Sequence, residues 1–175
     1  LHTTGRRLEM TADVEEMNMR HLLLTVPAVV VVAVGAVVGM PIAHGDNKRL
    51  NDAVVANVYT IQHQAGCTND VTIIPQLQRA AEWHARDVLN NRDLNGDIGS
   101  DGSTPQDRAD AAGFQGRVAE TVAINPALAI SGVELISRWY DNAAYLAIMS
   151  DCAHTHIGVW SENSFDRTVV VADYG

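Results

Sequence analysis

The feature that most constrains this chain is a single uncharged apolar segment near its beginning. Residues 22–43, LLLTVPAVVVVAVGAVVGMPIA, contain no charged side chain, and a short, weakly basic flank over 17–21 precedes them. Ala43 and Gly45 provide small residues at the −3 and −1 positions for cleavage before Asp46. A basic flank, an apolar run and a small-x-small exit are typical of a secretory signal peptide. The sequence therefore predicts export.

An uncleaved membrane anchor is the alternative interpretation of the same segment. Twenty-two residues in a helix can cross a hydrocarbon layer of about 30 Å. Two prolines and two glycines within 22–43 weaken a spanning helix and favour cleavage. We predict a signal peptide or anchor over 17–45, with membrane contact only through 22–43 if it is uncleaved. Residues 1–16 carry six charges and are predicted to be unstructured or a non-native start, with Met17 or Met19 as the true first residue.

The remainder, residues 46–175, has the length of one domain with its own core. It carries nine basic and seventeen acidic side chains, a net charge of −8, while the whole chain carries −9. A duplex-binding protein needs a basic face to displace counterions from phosphate, so this charge excludes a nucleic-acid partner. An apolar content of 47% excludes a disordered chain. The acidic charge favours a basic protein partner, if the domain acts through its surface.

The chain has two cysteines, Cys67 and Cys152, and both lie in the predicted domain. Two cysteines in an exported protein are most simply one disulfide. The alternative is a thiol nucleophile at Cys67, activated by His63 four residues upstream. That alternative needs a reduced cysteine in an oxidising compartment, so we predict the disulfide.

Apolar spacing predicts the first two of four helices, capping signals predict the third and fourth, and two β-branched runs predict a final β-hairpin. The third helix begins at a Pro that follows Ser103 or Thr104, and the fourth begins with a capping box in which Ser131 bonds the backbone and Glu134 reaches back. The predicted helices cover 50–64, 77–88, 105–113 and 131–139, and the predicted strands cover 154–160 and 167–174.

Several spaced segments carry a family pattern. They are LQRAAEWHARDVL at 77–89, GSDGSTPQDRADAAGF at 99–114, VAETVA at 118–123, then Trp139, Ile157-Gly158-Val159 and Tyr174-Gly175. In this order and spacing they resemble the CAP superfamily (cysteine-rich secretory proteins, antigen 5 and pathogenesis-related 1) in its short bacterial form. The resemblance implies an α+β fold, a three-layer α-β-α sandwich with a central, mostly antiparallel sheet.

The resemblance also implies a changed cleft. The family cleft usually presents two histidines and two acidic residues, and the matching positions here are Asp97, Glu120, Asn142 and Tyr145. Imidazole is the side chain that ligates metals and moves protons near neutral pH. Its replacement at both histidine positions removes zinc-type chemistry. We therefore assign no catalytic residue, and we expect no metal and no cofactor.

Other candidate sites have simpler structural explanations. Residues 93–101 alternate oxygen donors as a calcium loop does, but Ile98 replaces the expected Gly and Thr104 replaces the closing Glu, so a solvated turn is favoured. His154 and His156 share one face of a predicted strand and lack a visible third metal ligand. His84 lies on an apolar helix stripe and is predicted to be a hydrogen-bonded core histidine. No nucleophile elbow is present.

Three classes of function remain open. The first is a non-catalytic, secreted or envelope-associated module that binds a lipid or another cell-envelope ligand. The second is a protein-interaction or effector module. The third is a hydrolase in which Glu120 acts as general base, which would require a raised pKa and a substrate pocket.

Overall fold

The computed structural model describes residues 44–175. Within them the chain forms α1 (His44–Gln64), β1 (Thr72–Ile73), α2 (Pro75–Asn90), α3 (Pro105–Ala111), β2 (Ala119–Asn125), α4 (Gly132–Tyr140), α5 (Ala143–Met149), β3 (His156–Ser164) and β4 (Arg167–Tyr174). The predicted start (1–16) and leader (17–45) lie outside the described residues, apart from His44 and Gly45, which begin α1. No helix in the described part of the chain is both long and apolar enough to cross a bilayer.

All four predicted helices are present. The expected caps are found at both ends of α3 and at the beginning of α4. Thr104 and Asp107 form a reciprocal capping box before α3, and Gly113 follows its end with φ 88°. Ser131 caps α4 by accepting from the Glu134 amide at 3.1 Å. The predicted hydrogen bond between the Glu134 side chain and the Ser131 backbone is wrong, because the Glu134 carboxylate instead accepts from Arg138 at 2.6 Å. The first helix also begins six residues before the predicted 50.

The four strands form one sheet in the order β1-β3-β4-β2. The predicted hairpin is β3 and β4, and β2 adds to β4 antiparallel, with Glu120 opposite Asp173. β1 pairs with β3 in parallel over only two residues. The sheet is thus mostly antiparallel with one parallel edge, which confirms the predicted α+β class. The predicted strand over 154–160 begins later, at His156, and runs to Ser164.

Helices cover both faces of this sheet, because alternate residues of each strand face opposite sides. On β4, Val170 and Tyr174 join a core with α1, α4 and α5, whereas Val169 and Val171 join a core with α2. Gly158 of β3 lets α2 approach closely, since a Cβ there would lie 2.1 Å from backbone atoms of Leu77 and Gln78. The molecule is therefore a three-layer α-β-α sandwich.

The predicted disulfide between Cys67 and Cys152 is confirmed, with Cα atoms 5.2 Å apart. It joins the chain just after α1 to the segment between α5 and β3. Because Cys67 is oxidised in this disulfide, the alternative prediction of a Cys67 thiol nucleophile is wrong. His63 instead lies 3.4 Å from the Asp70 carboxylate and contacts the Tyr59 ring.

Candidate functional site

Glu120 lies at the centre of a buried polar cluster between α2 and the sheet. Its Oε1 is 2.8 Å from His84 Nδ1, and its Oε2 accepts from Arg108 Nη2 at 2.9 Å. The side chains of His84 and Glu120 are fully buried, and that of Arg108 is 6% exposed. A buried carboxylate held by two nitrogens forms strong charge-assisted hydrogen bonds and is shut off from substrate.

Local structure explains how these three side chains meet. His84 lies on the buried face of α2, near Ala80 and Ala81, so the prediction of a hydrogen-bonded core histidine is confirmed. Glu120 is the second residue of β2 and faces α2. Arg108 follows the Thr104 cap by one helical turn, and its Nη1 also donates to the Ser103 carbonyl at 2.8 Å.

Asp173 completes the buried cluster from β4. It is fully buried and stands directly opposite Glu120 in the sheet. Burial raises the pKa of Asp173 well above its ordinary value, and the nearby charge of Glu120 raises that pKa further, while Arg108 lowers it. Neither carboxyl oxygen has a hydrogen-bond partner within residues 44–175. A buried carboxyl without a partner is favoured in its protonated, uncharged form. We call His84, Arg108, Glu120 and Asp173 the polar quartet.

The four positions matched to the family cleft separate into two pairs. Asp97 has an exposed side chain, but its carbonyl accepts from Arg108 Nη2 at 2.8 Å, which connects it to Glu120. Asn142 caps α5 by accepting from the amides of Ala144 and Tyr145. Tyr145 packs edge-on against Trp139 within the other core. Asp97 and Glu120 thus lie on the α2 side of the sheet, and Tyr145 lies on the opposite side.

Tyr174 of β4 lies in the same apolar core as Tyr145. Its hydroxyl is 3.0 Å from Thr121 Oγ1 and the side chain is fully buried. Burial raises the pKa of Tyr174 far above its ordinary value. The hydrogen bond with Thr121 lowers that pKa, and the nearby Asp173, Tyr145 and Glu120 raise it. The tyrosine is therefore a neutral core residue at physiological pH.

Sequence reasoning gave no role to Arg108 or Asp173. Arg108 was visible only as part of the Pro-x-x-Arg motif. An Asp inside the apolar strand RTVVVADY was a usable signal, because a buried carboxyl requires either a proton or a partner. The pairing of β2 with β4 that supplies Glu120 could not be deduced from the sequence.

The other predicted metal candidates serve as local structure. Asp101 accepts from the Ser103 amide at 2.9 Å, and Thr104 caps α3. His154 Nδ1 contacts the Ile148 carbonyl, and His156 Nδ1 contacts Thr155 Oγ1, each at 3.0 Å. Across residues 44–175, no three or more His, Cys, Asp or Glu side chains are grouped so that they could hold a metal ion.

Two adjoining surface cavities are lined by no member of the polar quartet. One, of about 510 Å³, runs along α1 beside β1 and is lined mostly by apolar side chains, together with Asp52 and Thr60. We call it the α1 groove and define it by its apolar residues Val55, Ala56, Tyr59, Val71 and Ile73. It adjoins a more polar cavity of about 480 Å³ that shares Asp52 and Ile73 with it. The polar cavity is lined further by amide, charged, hydroxyl and aromatic side chains, which are Asn47, Lys48, Asn51, Gln78, Arg86, Trp160, Ser161, Glu162 and Asn163.

Solved structures with the same fold identify the architecture. An outer surface protein of Borrelia burgdorferi matches with a TM-score of 0.63 at 14% identity, over 73% of this chain and 92% of its own. An extracellular protein of Bacillus anthracis that contains an SCP domain matches with a TM-score of 0.61 at 14% identity, over 73% of this chain and 40% of its own. A cysteine-rich secretory protein of Staphylococcus aureus matches with a TM-score of 0.55 at 11% identity, over 74% and 39% respectively.

These matches show the fold and confirm the CAP-like architecture that the sequence segments predict. The chain spans about two fifths of the length of the Bacillus and Staphylococcus proteins. The sequence matches no family model and no curated protein.

Proposed function

We propose that this CAP-like domain is an exported binding module that holds an amphipathic lipid of the cell envelope in the α1 groove. Export is supported by the sequence of 17–45 and by relatives of the same fold that are described as outer surface or extracellular proteins. The fold alone does not select a ligand. The surface chemistry of the groove provides the argument.

The observation that carries the proposal is the exposure of large apolar side chains along one cavity. Tyr59 is 43% exposed and Ile73 is 47% exposed, and both line the α1 groove. A volume of about 510 Å³ is within the range of small-molecule sites, which are mostly apolar with a few polar groups. Covering these side chains with an acyl chain removes apolar surface from water, which is favourable.

The adjoining polar cavity gives the ligand a direction. It meets the α1 groove at Asp52 and Ile73, and the amides of Asn51 and Gln78 line it. Amide side chains both donate and accept hydrogen bonds, so they suit the glycerol, sugar or ester groups of a lipid head. In the proposed complex the acyl chain lies against Tyr59 and Ile73 and the head lies beside Asn51.

The polar quartet supports binding over hydrolysis. A general base must reach the proton that it removes, directly or through one water. The Glu120 carboxylate is fully buried and both of its oxygens are hydrogen-bonded to His84 and Arg108. In this arrangement Glu120 stabilises the fold, and the surface grooves are left to bind the ligand.

The test is native mass spectrometry of the full chain, expressed with export and never denatured. We expect a retained mass that organic solvent removes, and a fluorescent fatty acid that the extracted lipid displaces. Tyr59→Ser and Ile73→Ser should each lower the retained fraction severalfold. Leu128→Ser is the matched control, because Leu128 is 58% exposed and lies outside the groove. A bare protein that binds no fatty acid, or equal losses in all three variants, would overturn the proposal.

A further inference from the structure

A second cavity, on the other side of the molecule, has a different chemistry. It lies between α2, the loop before α3, and α3, with a volume of about 530 Å³. Trp83 of α2 lines it and remains 42% exposed. Three aspartates, Asp87, Asp101 and Asp107, also line it. We call this cavity the Trp83 pocket.

The three carboxylates are fixed in place and ionised. Asp87 accepts from the amide and hydroxyl of Ser100, each at 2.7 Å. Burial acts to raise the pKa of Asp87, but hydrogen bonds from Ser100 and Asn91 lower it overall. Hydrogen bonds from Ser103 lower the pKa of Asp101, and hydrogen bonds from Thr104 lower that of Asp107. The pocket therefore presents three ordered negative charges beside an indole ring.

Two buried nitrogens that line the same pocket lack partners. His84 Nε2 and Arg108 Nε have no hydrogen-bond partner within the described residues, although both side chains are at least nine-tenths buried. The other nitrogens of Arg108 are engaged by Glu120, Asp97 and Ser103. The Arg108 Nε–H can only donate, so an occupant of the pocket can provide its acceptor. Buried donors without a partner are rare in folded proteins.

A metal ion does not explain this combination. No metal-holding group of three or more His, Cys, Asp or Glu side chains occurs in the part of the chain that the structure describes. An organic cation that carries an acceptor nearby fits each feature. Guanidinium stacks on an indole face and bonds carboxylates through a planar fork. The peptide carbonyl of the same residue provides the acceptor.

We infer that the Trp83 pocket binds an arginine side chain of an extended basic segment in a partner protein. The guanidinium lies on the Trp83 ring among Asp87, Asp101 and Asp107, and a carbonyl of the segment accepts from Arg108 Nε. The net charge of −8 over residues 46–175 attracts such a segment. This site is separate from the α1 groove and does not depend on lipid binding.

The test measures binding of an acetylated, amidated tetra-arginine peptide to the full chain by titration calorimetry at low salt. The matched ligand is tetra-citrulline, which has nearly the same shape without the charge. We expect the arginine peptide to bind, the citrulline peptide to bind at least tenfold more weakly, and added salt to weaken binding. Failure of the arginine peptide to bind, or equal binding of both peptides, would overturn the inference.

Variants separate the pocket from the general acidity of the domain. Asp101→Asn removes one charge yet can still accept from the Ser103 amide, and should weaken binding by about threefold to fivefold. Trp83→Leu should weaken it by about fivefold, because the cation–π contact is lost. Asp70→Asn removes the same charge from a side chain that is 76% exposed and outside the pocket. Unchanged melting temperatures confirm folding, and equal weakening by Asp70→Asn and Asp101→Asn would show that only net charge matters.

Discussion

The two faces of the central sheet are stabilised in different ways. On the face covered by α1, α4 and α5, the core is nearly all apolar and includes Trp139 and Tyr174. On the face covered by α2, a smaller apolar core is interrupted by the polar quartet, in which Glu120 is hydrogen-bonded to His84 and Arg108. Glu120 matches an acidic position of the family cleft, yet here it is buried and stabilises the fold.

The largest expected effect tests the polar face. Arg108→Met keeps the bulk of the side chain but leaves the buried carboxylate of Glu120 with one partner fewer. Breaking a buried ion pair from one side destabilises a protein by about 3–5 kcal/mol. Arg86→Met is the control, since Arg86 is 55% exposed and its pairs with Glu82 and Glu162 are worth under about 1 kcal/mol. Urea unfolding measures both, and equal losses would contradict a structural role for the quartet.

The second prediction tests the apolar face, where the disulfide secures the end of α1. Replacing Cys67 and Cys152 together by Ser opens a loop of 85 residues and should lower the free energy of unfolding by about 2–4 kcal/mol. Thermal unfolding with and without reductant measures this loss. The double variant should not respond to reductant, whereas the native protein should approach it when reduced. A native protein that is insensitive to reductant at its melting temperature would contradict the prediction.

The third prediction asks whether Glu120 serves the fold or a reaction. Glu120→Gln removes the charge that pairs with Arg108 and should cost about 2 kcal/mol of stability. We expect no hydrolytic turnover in the native protein for this variant to abolish. Unfolding curves and an ester and peptide hydrolysis screen measure the two effects separately. Turnover that disappears in a folded Glu120→Gln variant would favour the hydrolase hypothesis.

The smallest effect concerns Asp173 and depends on pH. Because the folded-state pKa of Asp173 is raised, its contribution to stability is fully present below the unfolded pKa of about 3.9. That contribution is lost as pH rises through the folded pKa. Asp173→Asn retains a donor without an ionisable group, so the variant should gain stability relative to the native protein as pH increases from 4 to 8. Urea midpoints across this range measure the difference, and a constant difference would contradict the assignment of a protonated Asp173.

Apolar periodicity, which predicted α1 and α2, and capping signals, which predicted α3 and α4, together gave four of the five helices within residues 44–175. The structure also contains α5, which the sequence did not reveal. Its seven residues, AAYLAIM, are too short and too uniformly apolar to show a period, and only Asn142 signals its beginning. β1 is two residues long and is defined by its pairing with β3. Such an element has no local pattern to detect.

The site was harder to predict than the fold. The family match assigned Asp97, Glu120, Asn142 and Tyr145 to one cleft. In the structure Arg108 connects Glu120 with the backbone carbonyl of Asp97, whereas Tyr145 lies on the opposite side of the sheet. The environment of Glu120 depends on Arg108, twelve residues earlier, and on Asp173 in the last strand. Sequence spacing cannot reveal a partner supplied by sheet pairing. The sequence motif around a carboxylate is therefore the same whether the side chain is exposed to substrate or buried against neighbouring residues.

The disulfide has a mechanical consequence. A pull applied at residues 44 and 175 would be carried through the bond between Cys67 and Cys152, so only the segments outside the bridged loop could extend. His84, Arg108 and Glu120 lie within that loop, whereas Asp173 lies outside it in β4. Tension would therefore separate β4 from β2, and Asp173 from Glu120. The ion pair of Arg108 with Glu120 lies within the loop that the disulfide closes, so it would not be extended.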